Sequence, residues 1–242
     1  MSKLVAEIIR QYHIDAKLRQ TMYELYELYY ESTSFEIFDD DLNHKNYVIA
    51  LWDLEKKLQG FSTVAIWDFE FEKQAKRAIF SGDTIVHRDY WGEQTLPLAW
   101  CRLAGQIKAQ APTEPLYWFL IVKGYRTYRY LPLFAHQFYP TYRYPTPPEM
   151  QRLMDYLAEE KFGSDYDPKT GLIRFPISRG HLRGSWADIK EGYEDKPDVR
   201  YFLERNPDYG KGDELVCLME LREDNMRSHA RRGFMAGMNS EG

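Results

Sequence analysis
A chain of 242 residues, 44% hydrophobic and with only two cysteines, is long enough to bury a core without disulfide staples, and one cysteine pair is no framework for a small secreted scaffold. The formal net charge of -5 argues against a general affinity for nucleic acid, whose phosphates reward a basic surface. No run of about eighteen apolar residues occurs, and Met1 to Glu7 lacks the apolar stretch of a signal peptide, so a cytoplasmic protein with no membrane span is expected.

Leu18, Met22, Leu25, Tyr26 and Tyr29 recur at the spacing of an amphipathic helix, which is read as the first element. The acidic run Asp39-Asp40-Asp41 fits a solvated helix cap or turn better than a cation site. Two segments rich in Val, Ile, Phe and Trp follow, Asn46 to Trp52 and Gly60 to Phe71. In the second, Phe61, Thr63, Ala65, Trp67 and Phe69 share one face at period two, and the pair reads as an antiparallel hairpin. A third strand is expected from about Lys76 to Val86, with a bulge or bend at Gly82-Asp83.

After the loop His87 to Gln94, Thr95 is placed to cap a helix that ends before Ala111-Pro112; Pro97 falls in its first turn, where proline is tolerated. Leu116 to Val122 is a continuous apolar run, the pattern of a strand buried on both faces. Strand, helix, strand in this order implies a right-handed crossover and a parallel pair. Gly124 to Phe138 reads as a further helix interrupted by Pro132, and Thr146-Pro147-Pro148-Glu149 as a capping box before another. Past the basic, glycine-bearing segment Arg179 to Gly184, a last strand is expected from Glu214 to Leu221.

The order helix, hairpin, strand, loop, helix, strand, helix over residues 15–140 resembles the core of the GNAT acyltransferases. The local match is Thr84-Ile85-Val86-His87-Arg88-Asp89-Tyr90-Trp91-Gly92-Glu93-Gln94, which resembles the strand, loop and glycine turn leading into that family's cofactor-binding helix. Gly60 to Thr63 resembles the start of its third strand, and Leu116 to Val122 with Phe138-Tyr139-Pro140 its second half. The implied fold is a mixed α/β one: a mostly antiparallel central sheet with a splayed parallel strand pair, flanked by helices. Residues 1–144 would form this core, and residues 145–242 a C-terminal extension serving as an acceptor-side lid or extra strands.

The resemblance implies an N-acyltransferase that moves an acyl group from a thioester, acyl-CoA or acyl-phosphopantetheine on an acyl carrier protein, to a small-molecule or peptide amine, without a metal and with a homodimer as one assembly. The alternative is a non-catalytic module of the same fold that binds a small molecule or a protein. Ile85, Val86, Tyr90, Trp91, Gly92, Gln94 and Thr95 correspond to the donor-binding strand end and turn. A turn feeding a helix presents unpaired N–H groups and the positive end of the helix dipole to phosphate. The family pattern places a second small residue after Gly92; Glu93, Gln94 and Thr95 stand here instead.

Amine acylation needs an acceptor for the amine proton and a donor for the leaving thiolate. The resemblance points to Asp83 as base, with Ser81 and Glu70 in reserve and His87 as a relay at the strand end. For the acid it points past Leu133-Phe134 to Tyr128, with Tyr125, Tyr130 and His136 as substitutes. The aromatic content, 16% with 19 Tyr, suggests a tunnel for a long acyl chain lined by Trp118, Phe119, Tyr128 and Phe134.

Overall fold
The chain enters as a strand. In the computed structural model, which describes residues 3–176, 180–184, 189 and 191–240, β1 (Leu4–Arg10) precedes the helix that the periodicity marks as first. β1 forms one edge of the sheet, and its apolar residues follow no alternation that would announce it. Next come α1 (Ala16–Glu27), β2 (Tyr30–Glu31), α2 (Phe35–Asn43), β3 (Tyr47–Asp53), β4 (Leu58–Phe71), β5 (Gln74–Val86), α3 (Thr95–Gln110) and β6 (Leu116–Val122). The remainder holds α4 (Tyr125–Tyr128), α5 (Tyr130–Phe134), α6 (Pro148–Phe162), β7 (Tyr166–Asp167), β8 (Leu172–Ile173), β9 (His181–Leu182), α7 (Pro197–Arg205), β10 (Glu214–Glu220) and α8 (Ser228–Met238).

The main sheet runs β1-β3-β4-β5-β6-β10-β8-β7, with β2 and β9 paired separately. Every pairing is antiparallel except β5 with β6, as the strand–helix–strand order requires. The mixed, mostly antiparallel α/β class is therefore the one observed. Residues beyond 144 supply β7, β8 and β10 to this sheet, and β10 covers the flank of β6 that β5 leaves open.

Several local expectations are corrected. Asp39 to Asp41 lie inside α2, capped instead by Ser34. Thr95 is the first residue of α3 and Gln94 its cap position. Pro147 occupies the cap of α6, with no side-chain bond from Thr146. The single helix expected over 124–138 is two short ones, α4 and α5, broken at Arg129, because Pro132 has no N–H to give to the turn before it.

The two faces of the sheet are packed differently. On one, α3, α5 and α8 cover a continuous core that includes Leu51, Val64, Ile79, Trp100, Trp118 and Phe234. On the other, α1 and α2 cover one cluster around Met22, Phe38, Phe61 and Ile85. There α6 covers a second, around Phe80, Phe119, Leu157 and Val216. The seam between these two clusters is polar.

Candidate functional site
The seam begins at a bulge. Ser62 pairs with Thr84 but Val64 with Ser81, so Gly82 and Asp83 together face Thr63. A bulge of this kind turns two successive side chains toward one face of the sheet. Ser81 stays on the α3 face, its Oγ accepting from the indole N–H groups of Trp100 (2.9 Å) and Trp118 (3.0 Å). On the same face the Ser62 and Thr84 hydroxyls lie 2.7 Å apart. Without the bulge, period two would carry Asp83 to that face as well. With it, Asp83 joins Asp41, Lys45 and Tyr26 on the α1/α2 side, close enough for their charges to act on one another.

At the same place β5 and β6 part. Their ladder covers only Arg77 to Phe80 against Leu116 to Phe119, while Ser81 to Val86 continue along β4. Asp83 keeps some accessible surface, yet protein surrounds its carboxyl closely. That desolvation is the largest cause of a pKa raised from 3.8 to about 6. Asp41 adds to the rise, Lys123 and Lys45 oppose it, and Glu214 adds a little.

The surrounding groups come from distant parts of the chain. Tyr26 and Tyr30 stack with ring centroids 4.5 Å apart, and burial first, then Asp83, pushes both phenols well above the ordinary range, so they keep their protons. Lys123, just beyond β6, lies 3.3 Å from the buried carboxylate of Glu214 and donates to the Gly180 carbonyl (3.0 Å). Lys45 is bonded to Asp41 at 2.7 Å with its side chain 3% exposed. A Cβ on Gly82 would sit 2.4 Å from Thr63 Oγ1 and 3.2 Å from Lys45 Nζ, so only glycine leaves room for both. One wall is β9, paired to β2 through Tyr30 and Leu182. Arg183 secures it by donating from Nε to the carbonyls of Glu27 and Tyr30 (2.8 and 2.9 Å). Arg179 lies outside the described residues.

The other expected residues are not gathered at Asp83. His87 follows β5 directly, with Nδ1 3.6 Å from Asp89 and its ring beside Tyr90. Glu70 is exposed near the far end of the hairpin, opposite Ala75. Tyr128 is fully buried, donates to the Pro140 carbonyl at 2.8 Å and packs on Phe138 and Phe202; its raised pKa comes chiefly from that burial. Tyr125 is buried and Tyr130 packs on Phe134, while His136 is exposed. The expected tunnel is corrected too. Trp118 and Phe119 are neighbours on one strand, so they point to opposite faces and sit in different clusters. Phe134 stacks on Trp118 at 5.7 Å, and these rings fill the core.

Tyr90 to Thr95 do share a place. They line an open groove of about 1020 Å³ together with Lys3, with Leu4, Ala6 and Ile8 of β1, Arg102 of α3 and Arg232 of α8. Gly92 takes φ +95° there, a left-handed turn that favours glycine. Trp91 donates its indole N–H to the Val86 carbonyl at 2.8 Å, and the Arg126 guanidinium lies 5.0 Å from its ring centroid. Ile85 is buried under α1 and Val86 packs against the opposite core, so each offers only its backbone. Asp83 does not line this groove. The bulge and the parting strands, not the groove, hold the enclosed ionisable groups.

No family model and no curated protein matches the chain. Among solved structures it is similar to a conserved protein of unknown function from Enterococcus faecalis V583 described as a probable N-acyltransferase, with TM-score 0.40 and 14% identity over 55% of this chain and 33% of that one. It is also similar to a GNAT family N-acetyltransferase from Escherichia coli in complex with CoA, with TM-score 0.37 and 8% identity over 51% and 64%. A third is an aminoglycoside acetyltransferase from an uncultured soil metagenomic sample in complex with sisomicin, with TM-score 0.34 and 16% identity over 48% and 76%. The chain thus spans 33% of the first and 64% of the second. At such scores the likeness carries no weight beside the sheet itself. Strand order, bulge and the parted parallel pair define a mixed α/β fold whose mostly antiparallel sheet carries one splayed parallel pair.

Proposed function
We propose that this chain is an N-acyltransferase in which Asp83 takes the proton of an amine acceptor as the acyl group leaves a CoA-type thioester. The observation that carries the reading is the position of Asp83. It stands at the bulge where β5 leaves β6, partly accessible, with a carboxyl whose pKa burial pushes up to about 6. A base works best with a pKa near the operating pH, and this one is ionised at neutrality while able to hold a proton.

The amine nitrogen bonds to the thioester carbonyl carbon, the carbon–sulfur bond breaks, and the amine proton passes to Asp83. The protonated carboxyl then supplies the thiolate. Tyr26 and Tyr30, which keep their protons, act as hydrogen-bond donors at the cleft wall. The donor phosphates are assigned to the Gly92 turn and the start of α3, whose cap position makes no side-chain bond. Because Trp118, Phe119, Tyr128 and Phe134 are packed as core, a short acyl group such as acetyl suits the site better than a long one.

The test is to mix the protein with acyl-CoA donors of two to sixteen carbons and a set of amines, following free thiol and amide together. Equimolar thiol and amide, greatest with the shortest donors, is the expected result. A second reading, a binding module without catalysis, is favoured by one feature: Trp91 occupies the Val86 carbonyl at the mouth of the parted strands. Thiol release absent for every donor and amine would decide for that module.

A further inference from the structure
On the α6 side of the cleft stand cations that proton transfer at Asp83 does not use. The ammonium of Lys161, in the last turn of α6, lies 4.7 Å from the Phe80 ring centroid and 5.1 Å from that of Trp67. Lys45 Nζ lies 5.4 Å from the same Phe80 ring. Asp41 is bonded to Lys45 and is half open to solvent, while Lys161 makes no ion pair among the described residues. Burial and then repulsion from Lys45 hold the Lys161 pKa below the ordinary lysine value. Two ammonium groups thus stand near one ring; Asp41 pairs with Lys45 and Asp83 also acts on it, whereas Asp41 and Glu160 act on Lys161 without an ion pair to it.

A second observation points the same way. Thr63 Oγ1 is buried, the residue being 1% exposed, and has no hydrogen-bond partner. It lies against the Gly82 backbone beside the Lys45 side chain, where a Cβ on Gly82 would meet both. A buried hydroxyl left without a partner is costly, and an anion held by the neighbouring lysines would relieve it. Lys161 is exposed while Lys45 and Thr63 are buried, so a ligand would enter from the Lys161 side.

We propose that Lys45, Lys161 and Thr63 form an anion subsite of the acceptor cleft, so that the acceptor is an amine carrying a carboxylate or phosphate group. The inference rests on the acyl-transfer reading of Asp83 for the word acceptor, though anion binding itself does not. Phe80, whose ring Lys161 approaches, precedes Asp83 by three residues on β5, roughly 10 Å of strand, while Thr63 faces Asp83 across the bulge at one strand spacing, ~5 Å. An anion reached by both groups stands about 5–10 Å from the amine, a separation that a flexible 6-aminohexyl skeleton can span.

Matched probes of this length give the experiment: 6-aminohexanoate, 6-aminohexyl phosphate and hexylamine, titrated calorimetrically into the wild-type protein, Lys161→Met and Lys161→Arg. Charge-assisted hydrogen bonds predict that the wild type binds at least one anionic amine about tenfold or more tighter than hexylamine. The ratio should fall by about tenfold in Lys161→Met and be largely restored in Lys161→Arg. The carboxylate and phosphate arms tell which anion fits. A ratio near one in the wild type, or one unmoved by Lys161→Met, overturns the subsite. Acyl transfer to hexylamine with no preference for its anionic analogues would leave the transferase standing and remove the subsite. Anion-dependent binding with no transfer to any amine would support the subsite and remove the transferase.

Discussion

The two faces of the sheet differ in continuity more than in composition. Under α3, α5 and α8 the apolar side chains form one uninterrupted core; of the hydroxyls on that face, Ser81 is held by two indoles and Ser62 and Thr84 by each other. Under α1, α2 and α6 the core is split in two. The seam holds Asp83, Asp41, Lys45, Lys123 and Glu214 close enough to perturb one another. A closed core contributes stability; an interrupted one leaves ionisable groups both enclosed and reachable, the condition under which pKa values move toward function. One inserted residue in β5 decides on which side Asp83 falls.

The sharpest way to break this contrast is to open the packed part of the split face. Phe119→Ala, at a residue with no exposed surface, should cost about 3–5 kcal/mol by denaturant titration, the usual range for deleting a buried aromatic. A loss below about 1 kcal/mol would mean that Phe119 borders open space, reviving the tunnel. On the continuous face, Ser81→Ala removes the common acceptor of two buried indole N–H groups. Its expected cost is about 1–3 kcal/mol, with the fluorescence of Trp100 and Trp118 altered. No change in either would show that the indoles have another partner.

A smaller effect is expected at the donor turn. A side chain at Gly92 meets no neighbour within 4 Å, so Gly92→Ala is strained only by its φ of +95° and should cost about 1 kcal/mol. Crowding is not the reason. A further expected change is a slope. Because folding raises the Asp83 pKa from 3.8 to about 6, its contribution to stability is full below 3.8 and is lost as pH rises through about 6. Relative to Asp83→Asn, the wild type should therefore lose stability over that interval. A parallel pair of stability curves would place the carboxyl in water.

Most of the elements near the site were legible because their periodicity is local. Leu116 to Val122 reads as a strand buried on both faces and is one; the hairpin, α3, and the bulge at Gly82-Asp83 were equally readable. β1 was missed because an edge strand of mixed exposure, with Val5 59% exposed and Leu4 3%, shows neither period. Asp83 was named from the sequence, but its companions were not. Tyr26 and Tyr30 look like helix-packing residues, and Lys45, Lys161 and Thr63 come together only through tertiary folding. The one available signal was a charge at the end of an apolar run, as Lys123 after Val122 and Glu214 before Leu215. Tyr128 was misread because its ring lies under α7, whose Phe202 and Tyr201 pack on it, and no local pattern announces that helix as its cover.

The central claim is that Asp83 is the base, and the pH dependence of kcat/KM tests it most directly. The assay uses acetyl-CoA and an arylamine acceptor that stays uncharged across the range, so that the acceptor adds no limb of its own. The wild-type profile should rise with pH through about 6 and then level. Asp83→Asn should lie about a hundredfold lower or more and show no such limb. A wild-type profile flat through that region, or an Asp83→Asn enzyme with undiminished turnover, would contradict the account.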